Sequence, residues 1–318
     1  MAWAVLLVLL SGSWGALALE YRAGRPWALA WGGISLVMLG LALWGRPWAA
    51  ALVQGGLHVA LLAWWWQLRP SLDGEWLPEL AELTHGWVEG ERLILAGVRD
   101  FRWQDRHRAE PCWETRDYDL ARLASVDLLL SNWGLPMISH VMVSFGFDDG
   151  EVVTFSVEIR RERGQAFSEL AGFFKQYELS IVAGDERDLV GARVRHRDER
   201  MRLYRIQMSP RARRELLLAY VEEANALRER PRFYHTVTAN CSTLVYAMMR
   251  RIVDGLPLDY RLLLTGRLPA YIHEVGGLVP NHSLAELQAR ADITEAARTA
   301  GEAEDFSRRI RQGVPGWE

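Results

Sequence analysis

The chain has 318 residues, half of them hydrophobic, enough for one or two domains with a sizeable core. A formal net charge of -3 gives no electrostatic footprint for nucleic acid. Two cysteines, Cys112 and Cys241, do not make a disulfide framework, and no Cys and His pairs have zinc spacing, so neither a metal nor a cofactor is expected.

The first segment is unlike the rest. Met1 to Leu19 is apolar and uncharged, and Trp27 to Trp44 and Pro47 to Trp66 are further apolar runs. Each is close to the ~20 residues that cross a bilayer as a helix. Nine of the 15 tryptophans fall here, several at run ends where an interfacial belt would sit. Residues 1–66 are therefore expected to form three membrane helices. The alternative for the first run is a cleaved signal peptide, since "ALALE" resembles a small-residue cleavage site, although no basic region precedes it. Arg22 and Arg25 in the first connection, against Arg46 in the second, slightly favour a cytoplasmic first loop and a soluble part on the inside.

After a linker, "LRPSLDGEW", "ERLILAGVRDFRW" has the β-rich character of a strand, and "LARLASVDLLLSNWG" reads as a helix or a strand. "HVMVSFGFDDGEVVTFSVEIRR" is the clearest hairpin. Ser168 to Tyr177 has a helical pattern, "LSIVAG" is a short strand, and the arginine-rich "VGARVRHRDERMRLYRIQM" alternates like one or two exposed strands. "SPRARRELLLAYVEEANALRER" is an amphipathic helix with Ser209 as N-cap. The only lysine, Lys175, lies in an ordinary helix or loop context. The expected class is α+β: residues 67–256 form the main soluble domain and residues 257–318 a helical extension.

The hairpin register follows from packing. A three-residue loop, Asp148-Asp149-Gly150, with Gly150 left-handed, pairs Phe147 with Glu151. Val141 then faces Val157, Val143 faces Phe155 and Phe145 faces Val153, all on one apolar side. A two-residue loop would set apolar against polar side chains, because one slip flips a face. The same register opposes His140 to Glu158, an arrangement that orients an imidazole base and stabilises its charged form. The bland alternative is a solvent-exposed pair on an edge strand. His107, His196 and His235 are competing bases, His235 being six residues before Cys241.

Cys241 stands in "FYHTVTANCSTLVYAMMRRI", where a polar loop turns into an apolar helix. Thr238 or Asn240 can cap that helix and leave the sulfur at its positive end, which lowers a thiol pKa. First-turn N–H groups are then candidate oxyanion donors. A lone cysteine before an apolar helix is also read as an inert buried thiol. The His140–Glu158 hairpin favours the nucleophile.

The run through "RPSLDGEW", "ISHVMVSFGFDDG", "FSVEIRRERG", "AGFFKQYEL", "GDERDLVGAR" and "FYHTVTANCSTL" resembles the bacterial Lnb N-terminal periplasmic domain family over about Arg69 to Arg251. His235 stands where that family usually has Asn, and "NCST" where it has "NCTT". The resemblance extends to permuted papain-like enzymes of the NlpC and lecithin retinol acyltransferase type, with an antiparallel sheet and helices. In these His precedes Cys and the Cys opens a helix. It implies a periplasmic domain anchored in the bacterial inner membrane, against the arginine count. It also implies lipoprotein N-acylation, with a phospholipid as acyl donor and a lipoprotein as acceptor.

The leading expectation is a membrane-anchored cysteine acyltransferase, with Cys241 as nucleophile, His140 as base and Glu158 orienting it. Asn240 and Tyr177 are supporting candidates. The arginines from Arg187 to Arg214 could hold phosphate head groups or simply form a solvated face. A cysteine peptidase or amidase acting on cell-wall peptide uses the same groups, and a non-catalytic membrane scaffold with a buried Cys241 is the third reading.

Overall fold

The computed structural model describes residues 1–317, which divide into two compact units. The first joins Met1–Ser71 to the segments Ala166–Glu178 and Arg232–Thr236. The second holds Leu72–Gln165, Leu179–Pro231 and the residues from Val237 onward.

In the first unit α1 (Ala2–Arg22), α2 (Arg25–Leu43) and α3 (Pro47–Gln67) are each long and apolar enough to cross a membrane. They approach through small residues, as helices do where no hydrophobic effect drives them together. A β-carbon on Gly15 would lie 2.4 Å from the Trp31 indole, and one on Gly12 would lie 3.0 Å from Ser35. The buried Gln54 amide donates to the Ser35 hydroxyl at 3.2 Å. Ser168 to Tyr177, expected as a helix, forms turns around a single 3-10 turn, Ala171–Phe173. Its side chains serve the membrane helices and its own loop instead. Phe174 stacks on Tyr21 with ring centroids 5.6 Å apart. Lys175, at φ 53°, donates to the Trp65 carbonyl at 2.8 Å, placing a cation at the C-terminal end of α3.

The second unit is built on an eight-stranded sheet. Its strands are β1 (His85–Glu89), β2 (Arg92–Arg99), β3 (Trp113–Asp119), β4 (Leu123–Asn132), β5 (His140–Phe147), β6 (Val152–Arg160), β7 (Glu178–Gly184) and β8 (Arg200–Arg205). Their order is β1-β2-β7-β6-β5-β4-β8, with β3 paired to β2, and the β2–β7 pairing is parallel. The covering helices are α4 (Glu186–Gly191), α5 (Pro210–Glu229), α6 (Cys241–Ile252), α7 (Leu268–Glu274), α8 (Leu284–Arg290), α9 (Thr294–Ala300) and α10 (Phe306–Ile310).

The hairpin register is the one its apolar pattern demands. Val143 pairs with Phe155 and Phe145 with Val153, Phe147 N–H donates to Glu151 at 2.9 Å, and Gly150 takes φ 91°. β5 and β6 lie inside the sheet, so the reading of a solvent-exposed edge pair fails. Val143, Phe145 and Phe155 lie beneath α5, where Tyr220 meets the two phenylalanines at centroid distances of 5.9 and 5.0 Å. Met142 on the other face joins a core with Leu189, Ile293 and Phe306. Burial on both faces explains why β4 reads as a nearly continuous apolar run.

The arginine-rich stretch departs from its expected strands. Only Arg200–Arg205 is extended; α4, capped by the Asp185 side chain, and a π-turn at Ala192–His196 precede it. The alternating arginines are met by acids of the same unit, with Arg187 on Asp100 at 2.9 Å, Arg195 on Glu302 at 2.5 Å and Arg205 on Asp127 at 2.8 Å. Residues after 257 are built into the same unit: Leu203 N–H donates to Ala291 and Ile293 N–H to Met201, at 2.8 and 3.0 Å.

The polar side chains beneath these helices are closed into a network. Arg311, 2 % exposed, binds Glu186 at 2.5 Å and Asp127 at 3.1 Å, while the Ser144 hydroxyl donates to Glu186 at 2.5 Å. Replacing Arg311 with Met leaves the buried Glu186 carboxylate without its counter-ion, while Asp127 keeps Arg205. This is expected to cost about 3–5 kcal/mol in urea unfolding. A loss below about 1 kcal/mol would contradict a structural role for the network.

Candidate active site

β5 starts at His140 and β6 ends beyond Glu158, and the hairpin places these two side chains together. His140 Nε2 is 2.7 Å from the Ser156 hydroxyl and 3.2 Å from Glu158 Oε1. Ser156 itself donates to Glu158 Oε1 at 2.6 Å. The imidazole also hydrogen bonds with Cys241, and the Val141 backbone N–H donates to the sulfur. Thiol, imidazole and carboxylate therefore meet where the start of α6 reaches the open end of the hairpin. Both cysteines are free and half-buried.

Two more groups hold the carboxylate, and sequence reasoning missed both. Ser156 was legible only as a polar residue on the hairpin. Arg193, in the π-turn, binds Glu158 at 2.8 Å and Glu199 at 3.2 Å, and Glu199 also takes the Ser131 hydroxyl. The only signal for Arg193 lay in an arginine alternation that looked like a solvated strand.

The electrostatics follow from these contacts. Burial and Arg193 oppose charge on His140, but Glu158 and the bond to Cys241 outweigh them and raise its pKa to about 9. Glu158 is held well below the usual carboxylate range; burial opposes this and is overcome by His140 and Arg193. Burial pushes the Cys241 thiol up, yet the hydrogen bond and positive charge of His140, with the Val141 N–H, bring it below its ordinary value. These shifts favour a thiolate–imidazolium pair. Tyr220, fully buried on α5, has its phenol pushed up, first by burial and then by Cys241, and so stays neutral.

Asn240, rather than Thr238, caps α6. Its Oδ1 accepts from the Ser242 and Thr243 N–H groups at 3.0 and 2.9 Å, and Thr243 Oγ1 accepts from Asn240 N–H at 3.0 Å. The cap consumes the Ser242 and Thr243 amides, so these first-turn groups are not the free oxyanion donors that the sequence suggested. Tyr177 is tied to its own loop: its hydroxyl donates to the Ala166 carbonyl at 2.8 Å and accepts from Ser168 N–H at 2.9 Å. Among the competing histidines, His235 packs edge-on against Phe173 at 5.5 Å in the first unit, and burial pushes the pKa of His196 down. No group of three or more His, Cys, Asp or Glu side chains that could hold a metal occurs among the described residues.

A family model described as the Lnb N-terminal periplasmic domain matches residues 109–266. The chain therefore carries an Lnb N-terminal periplasmic domain. No curated protein and no solved structure matches the chain. The matched stretch contains His140, Ser156, Glu158, Arg193 and Cys241. Three bilayer-length helices ahead of this Lnb domain make the chain a membrane protein with a periplasmic domain.

The two thiols of the chain should separate by pH. Burial and the Glu114 charge raise the Cys112 pKa, opposite in direction to Cys241. Iodoacetamide is expected to alkylate Cys241 at lower pH than Cys112, read by peptide mass spectrometry. In His140→Ala, only the Val141 N–H still opposes burial at Cys241, and its labelling curve moves to higher pH. Earlier labelling of Cys112, or an unmoved curve in His140→Ala, would contradict the geometry.

Proposed function

We propose that this chain is a cysteine acyltransferase of the bacterial inner membrane, moving an acyl group from a phospholipid to an amine, the N-terminus of a lipoprotein. The observation that carries this reading is Cys241 at the start of α6, hydrogen-bonded to an imidazole that is itself paired with the Glu158 carboxylate. The order His140, Glu158, Cys241 supports a permuted papain-like arrangement.

The chemistry is acyl transfer through a thioester. The Cys241 thiolate attacks the ester carbonyl carbon of the donor, giving a tetrahedral oxyanion. As that collapses the C–O bond breaks, and His140 gives its proton to the departing lysophospholipid alkoxide. The acceptor amine then attacks the thioester, neutral His140 removes the amine proton, the amide forms and Cys241 leaves as the thiolate, which restores the ion pair. Glu158 holds Nε2, leaving Nδ1 to serve the sulfur, and it stabilises the imidazolium at each stage. Membrane helices support a lipid donor, because they keep the domain at the surface where such donors are concentrated.

Mass spectrometry after incubation with phospholipid vesicles should find an acyl thioester on Cys241, absent in Cys241→Ala and present in Cys112→Ala. Glu158→Gln should slow its formation by roughly tenfold to a hundredfold, the scale for losing an orienting partner while the base remains. The alkaline limb of the rate, about 9 in the unsubstituted chain, should shift to lower pH, because the Glu158 charge is gone and only the bond to Cys241 still opposes burial and Arg193 at His140. A thioester formed from muropeptide and not from phospholipid would assign the site to a cell-wall peptidase or amidase. A thioester on Cys112 would overturn the nucleophile.

A further inference from the structure

We propose that two apolar loops bordering Cys241 form the surface that receives the acyl chains of a membrane phospholipid. This rests on the acyltransferase reading and deepens it by placing the donor. The first loop joins β4 to β5 and exposes Trp133, Leu135 and Met137 immediately before His140. The second follows α6 and exposes Leu258, Tyr260 and Leu263. Leu135 is 67 % exposed and Leu258 83 %, so the two loops present apolar side chains to their surroundings.

The loops are stitched together and to the nucleophile. The Thr265 hydroxyl donates to the Ser139 carbonyl at 2.6 Å and accepts from its N–H at 2.7 Å, and Gly266 N–H donates to Met137 at 3.0 Å. Gly266 has no room for a side chain, since a β-carbon there would lie 2.1 Å from the Pro136 carbonyl. Ser242, next to Cys241, donates to the Leu262 carbonyl, and the Tyr246 and Tyr271 hydroxyls hold the Leu256 and Pro257 carbonyls at 3.1 and 2.9 Å. The Asn132 amide donates to the Leu135 and Ile138 carbonyls, both at 2.7 Å. Polar backbone groups are thus met from within, the condition for a loop to enter apolar surroundings at little cost.

The chemistry of the rim selects its occupant. Trp133 and Tyr260 beside leucines, with Arg267 against the Tyr260 hydroxyl at 3.4 Å, have the composition of a bilayer interface. Asp259 and Arg261 within the second loop neutralise one another at 2.8 Å, so little charge opposes a hydrocarbon chain. Residues 68–71 join α3 to the second unit, so this domain is tethered to the membrane helices.

The test uses the full chain with vesicles of palmitoyl-oleoyl phosphatidylethanolamine, compared with p-nitrophenyl butyrate, and reads acylation of Cys241 by mass spectrometry. Leu135→Asp/Leu258→Asp should lower the ratio of phospholipid to butyrate acylation at least tenfold. Leu135→Ala/Leu258→Ala, a milder change, should lower it about threefold. An unchanged ratio in both variants, including equal loss on both donors, overturns the lipid rim while leaving the nucleophile in place. Absence of a thioester from either ester in the unsubstituted chain removes the acyltransferase reading and the rim with it.

Discussion

Glu158 is the charge on which the site depends, and three groups converge on it. His140, Ser156 and Arg193 all reach its Oε1. Burial by itself disfavours charge on all three ionisable groups. Together they remain charged, because each partner is within hydrogen-bonding distance of the shared carboxylate. Arg193 has opposing effects: it keeps Glu158 ionised while its own charge disfavours the imidazolium. Glu199 moderates this by taking part of the arginine, and Ser131 in turn bonds Glu199.

The fold supplies that arrangement through one register and two layers. A single three-residue turn opposes His140 and Glu158, and the helices on each face of the sheet decide what else reaches them. α6 brings the sulfur from one side and the π-turn after α4 brings Arg193 from the other. The C-terminal helices close the arginine side, with Arg311 binding Glu186, a residue of α4 itself. Residues far apart in the chain thereby fix a site only a few side chains wide.

Much of this was legible before the structure, where the pattern was local. The hairpin register followed from pairing apolar residues across one face, and the α5 helix from its Ser209 cap. The three bilayer-length helices followed from composition. What was not legible depended on partners distant in sequence. Ser168 to Tyr177 has helical spacing, but Phe174 and Lys175 pack on membrane helices, and tertiary contact overrides propensity. The arginine alternation suggested exposed strands because the matching acids, among them Asp100, Asp127 and Glu302, lie elsewhere in the chain. Ser156 and Arg193 escaped notice for the same reason. The free first-turn amides of α6 were expected from helix geometry alone, and the Asn240 cap takes two of them.

The central claim is that His140 is an imidazolium at neutral pH. Selective 13C-histidine labelling of the full chain, with His140 assigned by comparison with His140→Asn, would follow its titration directly. The account predicts a ring that stays protonated through neutral pH and loses its proton near 9. A His140 resonance titrating near the unperturbed value of about 6.5 would contradict it.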